Sequence, residues 1–117
     1  MKNDTDYIDF VISKLSSFNH VKKRTVFGGV GLFIGSILFC IIKEKTVYMI
    51  VSEKTKNKYL KLNSKAFKAG ITKDKNYESL LSLPMSIFYD DNLFCEWAKE
   101  SYNIAKNKTL FGENHIG

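Results

Sequence analysis

The sequence predicts an α+β domain: a two-layer antiparallel sheet with helices on one face, in the order α-β-β-β-α-β-β-α. Three observations predict it. Apolar residues recur at helical spacing near both ends, with Ile8, Val11, Ile12, Leu15 and Phe18 at the start and Leu93, Phe94, Trp97, Ala98, Ile104 and Ala105 near the end. Between them lie β-branched and aromatic runs punctuated by glycine, the pattern of short strands joined by tight turns. The chain has 117 residues, 44% of them hydrophobic and 14% aromatic, enough to bury one core without disulfides or metal. One proline and seven glycines exclude collagen-like and proline-rich classes, and the apolar fraction excludes a disordered tail.

The elements follow in order. Thr5 or Asp6 caps a first helix that ends near Ser17. Strands are expected over 26–34, with an irregular glycine-rich start, then 37–43 and 46–51. Gly35-Ser36 is a two-residue hairpin turn between Leu32-Phe33-Ile34 and Ile37-Leu38-Phe39. Ser52 caps a helix over 53–62, with Glu53 at its positive end, Tyr59 and Leu62 inside, and Lys54, Lys58, Lys61 and Lys65 outside. Two more strands, 66–71 and 75–82, are joined at Thr72-Lys73-Asp74, and Leu83-Pro84 ends the last. A final helix spans 91–106. With no repeats or linker, the domain is expected to cover 1–108, followed by a flexible tail over 109–117.

The strand at 37–42 does not alternate. Ile37, Phe39 and Ile41 face one way and Leu38, Cys40 and Ile42 the other, so both faces of the sheet are apolar and the second face needs a cover. A homodimer or partner protein is one cover, and a segment of the same chain is the other.

Charge is unevenly placed. Residues 11–76 hold fourteen Lys and Arg against three Asp and Glu, while the ends are acidic, and the net charge is +6. Such asymmetry points to an anionic partner or to a plain solvated lysine face. Candidate anion or nucleic-acid contacts are Lys22, Lys23, Arg24, Lys54, Lys58, Lys61 and Lys65. Arg24 is the one arginine, so base-specific DNA reading has little to work with.

Val26–Ile42 is seventeen residues without a charge and carries the Gly31/Gly35 spacing of packed membrane helices. Its length is marginal for a span and its glycines make a poor helix, so hairpin strands are the better reading and no membrane role is expected. Cys40 and Cys95 are too few and too far apart for a metal site, and the polar acidic start is wrong for export. Free thiols in a reducing cytoplasm follow. Neither His20 nor His115 has a Cys, Ser or carboxylate placed near it in a catalytic motif. Gly29-x-Gly31-x-x-x-Gly35 is one residue too long for a dinucleotide fingerprint and leads into a strand, and Asp90-Asp91 reads as helix capping. No catalytic activity, cofactor or metal is expected.

The run Arg24-x-Val26-Phe27-Gly28-Gly29-x-Gly31-Leu32 carries more information. With Tyr48, Phe67, Leu83-Pro84, Leu93 and Trp97-Ala98-Lys99 in sequence after it, the chain resembles the TfoX/Sxy family N-terminal domain over roughly residues 7–106. Arg24, Phe27, Gly28, Gly29, Gly31 and Trp97 are the motif residues. Departures are Thr25 for a second basic residue, Val26 for methionine, Val30 for an aromatic, Ile50 for lysine and Ser52 for an acid. The resemblance implies a bacterial cytoplasmic regulator of competence for DNA transformation. Such a protein acts as a transcriptional coactivator beside the cyclic-AMP receptor protein or RNA polymerase. It also implies a two-layer topology like that of type III secretion chaperones, which bind proteins and often dimerise. Competence-regulating members carry a second, C-terminal domain, so this chain is read as the N-terminal domain standing alone. A sequence-tolerant nucleic-acid binder with a lysine-rich face is the alternative.

Overall fold

The computed structural model describes residues 2–18, 20–26, 28–68 and 76–116, with side chains described for 5–18, 20–26, 28–68 and 79–108. The turn expected at Thr72-Lys73-Asp74 lies outside the described residues. Helix α1 (Lys2–Lys14) turns Ile8 and Val11 inward, and Leu15 just beyond it is fully buried.

Strand β1 (Lys22–Val26) then pairs antiparallel with β2 (Gly29–Ile34). The sequence led us to expect one strand over 26–34, so β1 is an addition. Its five residues, Lys-Lys-Arg-Thr-Val, have no apolar alternation because β1 is the end strand of the sheet, where charged side chains meet water on both faces.

The hairpin at Gly35-Ser36 forms as expected, with Gly35 at φ 62 and Ile34 opposite Ile37. Strand β3 (Ile37–Lys43) returns to β4 (Thr46–Ile50) through Glu44 and Lys45, both left-handed at φ 51 and 59. A bulge explains why β3 does not alternate. Leu32 pairs with Cys40 but Phe33 with Leu38, so Phe39 is an extra residue and both Phe39 and Cys40 join the helix-side core, fully buried.

The chain continues through α2 (Lys56–Leu60), β5 (Ala66–Lys68), β6 (Asn76–Ser82), α3 (Met85–Phe88) and α4 (Asp91–Ile116). The six strands lie in the order β1-β2-β3-β4-β6-β5. Helices α1, α2, α3 and α4 share one core with Leu32, Cys40, Ile42, Met49 and Leu81 of the sheet.

Four details depart from expectation. Helix α2 is shorter than 53–62, because Ser52 builds a turn ahead of it. The Ser52 N–H donates to Thr55 Oγ1 at 2.9 Å, and Ser52 Oγ accepts from the Lys54 N–H at 3.2 Å. Leu62, expected inside, lies past the helix end and is 46% exposed. Pro84 is followed by the single turn of α3, and α4 runs on past 106 to Ile116. In α4, Phe94, Trp97, Ala98 and Ala105 are buried, while Leu93 and Ile104 are half-buried.

The second face of the sheet has its own cover. Ile41, Phe67 and Leu80 form a separate buried cluster there, with Val26, Leu38, Tyr48 and Ile50 packed against it. Lys43 Nζ of β3 donates to the Lys68 carbonyl of β5 at 3.0 Å. In a flat sheet these strands stand three spacings apart, about 14 Å, beyond a lysine's reach. The sheet therefore curls, bringing β5 over the second face, and Phe67 meets Tyr48 edge-on with ring centroids 5.1 Å apart. Of the two covers weighed from the sequence, the same-chain one is present. Among the described residues the exposed large apolar side chains are Phe10, Leu60, Leu62, Met85 and Tyr89, none of them on a strand. Among the described residues, no helix is long and apolar enough to cross a membrane.

Candidate functional site

The β1–β2 hairpin gathers most of the motif. Register places Arg24 opposite Gly31, Lys22 opposite Phe33 and Val26 opposite Gly29. Strand alternation sends Lys22, Arg24 and Val26 to the second face and Lys23 and Thr25 to the helix side. Lys23 accordingly reaches Asp9 of α1, Nζ to Oδ1 at 3.0 Å. Arg24 leans diagonally onto Phe33, with its guanidinium carbon 4.4 Å from the ring centroid.

The glycines serve the backbone. Gly28 sits at φ 80, where a side chain strains the turn. A Cβ at Gly29 would fall 2.6 Å from the Ile42 carbonyl oxygen of β3. At Gly31 it would fall 2.7 Å from Leu38 Cδ1 and 2.8 Å from Val26 Cγ2. Neighbouring side chains thus close over Gly31 from the second face. Phe27 lies outside the described residues. Trp97 stands apart from the hairpin, in the helix layer, packed on Tyr59 with centroids 4.7 Å apart.

The seven candidate cations do not form one track. Lys22, Lys23 and Arg24 are on the end strand β1, whereas Lys54, Lys58, Lys61 and Lys65 belong to the segment around α2, which packs toward β6. Only Lys58 of the second group lies within the helix, and it is engaged. Its Nζ is 2.8 Å from Glu100 Oε1 and 4.4 Å above the Trp97 ring. Lys54, Lys61 and Lys65 are exposed. Lys22 and Arg24 are exposed and have no ion-pair partner among the described residues.

Between α1 and the hairpin lies a cleft of about 390 Å³, floored by Gly28, Gly29 and Ile42 and walled by Tyr7 and the Glu44-Lys45 turn. It shares Ile8, Thr25 and Val30 with a hollow of about 320 Å³ that runs beside β1 to Thr5, Lys23 and Arg24. Burial pushes the Tyr7 phenol up to about 12, so it stands there as a neutral hydroxyl at ordinary pH. Cys40 is a buried free thiol, raised by its burial, and Cys95 is free and half-buried. Among the described residues, no group of three or more His, Cys, Asp or Glu could hold a metal ion.

Sequence reasoning found the hairpin by its glycines but missed β1 as a strand, and with it the exposed edge. The signal was present as three consecutive cations before a turn. It lacks the periodicity by which strands are recognised.

No curated protein matches the chain. The family model of the TfoX N-terminal domain matches residues 13–105, from the last turn of α1 into α4, and the chain belongs to that family.

Proposed function

We propose that this domain is a protein-binding, coactivator-like module in the regulation of competence for DNA transformation, working in the cytoplasm and without catalysis. Family membership supplies the competence-related setting. The protein-binding half rests on one observation, the β1 edge, which has no partner strand among the described residues and four of whose five residues are exposed. An unpaired strand edge offers a row of backbone donors and acceptors to another chain. The partner the family implies is a component of the transcription machinery, the cyclic-AMP receptor protein or RNA polymerase.

Affinity capture from the source bacterium, with nuclease treatment in one arm, tests this reading. Retention of a transcription protein after nuclease treatment is the expected result. An empty capture, or one lost with nuclease, overturns it.

The exposed Lys22, Arg24, Lys54, Lys61 and Lys65 support a second reading, sequence-tolerant nucleic-acid binding. It predicts an affinity for duplex or single strands that falls steeply with salt, since each neutralised phosphate releases counterions. The separation of these cations into two groups, and the engagement of Lys23 and Lys58 by carboxylates, weigh toward the first reading.

A further inference from the structure

We propose that the exposed edge of β1 takes up an extended acidic segment of a partner protein as an added strand, with carboxylates at alternate positions facing Lys22 and Arg24. The inference rests on the protein-binding reading above and names the chemistry of the partner.

Residues 22–25 are exposed, and among the described residues β1 pairs only with β2, which leaves its outer backbone edge open among them. The two sides of that edge differ. On the second face Lys22 and Arg24 stand two residues apart with no carboxylate beside them among the described residues. Side chains two apart on an added strand repeat every ~6.6 Å, the same spacing. On the helix side Lys23 is already matched by Asp9, and the hollow there is bordered by Thr5, Ile8, Thr25 and Val30 together with Lys23 and Arg24 themselves. A strand seated on β1 thus meets two unpaired cations on one face and, on the other, the neutralised Lys23–Asp9 pair beside Ile8, Thr25 and Val30. Its fitting sequence alternates Glu or Asp with small apolar residues.

A second copy of this chain fits poorly. Antiparallel self-pairing of β1 sets Arg24 against Arg24, Lys23 or Lys22, and like charges directly opposite are destabilising. The same cations that repel a copy attract an acidic strand.

The probe is an end-blocked, fluorescein-labelled heptapeptide alternating Glu and Val, followed by anisotropy at low salt. Three controls accompany it: the same residues with all Glu in one block, the alternating peptide N-methylated at every second amide, and an alternating Lys-Val peptide. The alternating acidic peptide is expected to bind at least about tenfold tighter than each control. Combined Lys22→Glu and Arg24→Glu, both at exposed positions, should abolish binding while unfolding stays cooperative and its midpoint falls by no more than several degrees. Amide shifts on peptide addition should centre on 22–26.

Equal binding of the block or N-methylated peptide reduces the effect to bulk charge and overturns the proposal, as does undiminished binding by the double variant. Tighter binding of an oligonucleotide, lost with the same substitutions, also overturns it. If the double variant still retains a nuclease-resistant protein in the capture, the β1 site fails while the protein-binding reading stands. An empty capture removes that reading itself.

Discussion

Arg24 and Phe33 form a diagonal pair across the β1–β2 ladder, with the guanidinium carbon 4.4 Å from the ring centroid. Gly31, opposite Arg24, has no side chain to hold the two apart. The pair joins an exposed charge to a ring that is 6% exposed, so its two members have unequal weight in the fold.

Arg24→Ala is therefore expected to cost no more than about 1 kcal/mol, the range of an exposed cation–ring contact. Phe33→Ala should cost about 3–5 kcal/mol through lost burial and the cavity left behind. Urea unfolding of the two variants checks the ratio, and equal costs refute the assignment of Arg24 to the surface.

The hairpin glycines separate by mechanism. Gly28→Asn should be tolerated better than Gly28→Ala, because asparagine visits the left-handed region and nothing lies within 4 Å of a Cβ there. Gly29→Ala meets the Ile42 carbonyl at 2.6 Å and should cost about 1–3 kcal/mol, with Gly29→Asn no better. Unfolding midpoints for the four variants give the comparison.

Ser101 is fully buried on α4 and its Oγ donates to the Ile50 carbonyl at 2.8 Å, fastening the helix to the end of β4. Ser101→Ala leaves that carbonyl without its donor and should destabilise by about 1–3 kcal/mol. Ser101→Thr keeps the hydroxyl but overfills the site, so it should not restore stability. Recovery to the parent level would show that the hydrogen bond alone matters.

Alkaline pH should unfold the domain. A tyrosine in the unfolded chain titrates at 10.0, while burial raises Tyr7 to about 12 and raises Tyr59 as well. The folded state favours the neutral phenol, so this contribution is intact below pH 10 and declines as pH climbs toward 12. Tyr7→Phe should move the alkaline unfolding midpoint to higher pH, as followed by circular dichroism. An unchanged midpoint counts against the half-buried phenol of Tyr7 as the group responsible.

The two thiols should differ in reactivity. Cys40 is fully buried, and burial raises its thiol, while Cys95 is half-buried with its Sγ 3.3 Å from the Lys14 carbonyl. Native protein at pH 8 is expected to react with a chromogenic disulfide at Cys95 alone, and Cys95→Ser should silence it. Rapid labelling of Cys40 in that variant would contradict the packing.

The legible parts of the fold were those written in local pattern. Gly35-Ser36 marked its hairpin, the strands at 37–43 and 46–50 were read almost to the residue, and Tyr59 and Phe94 were placed inside correctly. Strand β1 escaped because an edge strand of cations has no alternation, and α3 because a single turn after Pro84 carries no period. The two-sided apolarity of β3 was visible in sequence, but its causes are non-local. Phe39 is displaced by a bulge against β2, and Ile41 is covered by Phe67 from the far margin of the sheet. The candidate site shows the same division. Its glycines announced a constrained hairpin, yet the demand on Gly29 comes from Ile42 across the ladder. The pairing that occupies Lys58 likewise spans to Glu100 on another helix.

The curl that lets Lys43 reach Lys68 leaves the sheet with two dissimilar margins. One is the five-residue β1, open and cationic, and the other is the three-residue β5, rolled inward with Phe67 fully buried. Chains that share strand edges grow into fibres only when the margin gained on one side recreates the margin used on the other. An acidic guest on β1 would show carboxylates at its own outer edge in place of the cations it met, so it would not recreate the margin it occupied.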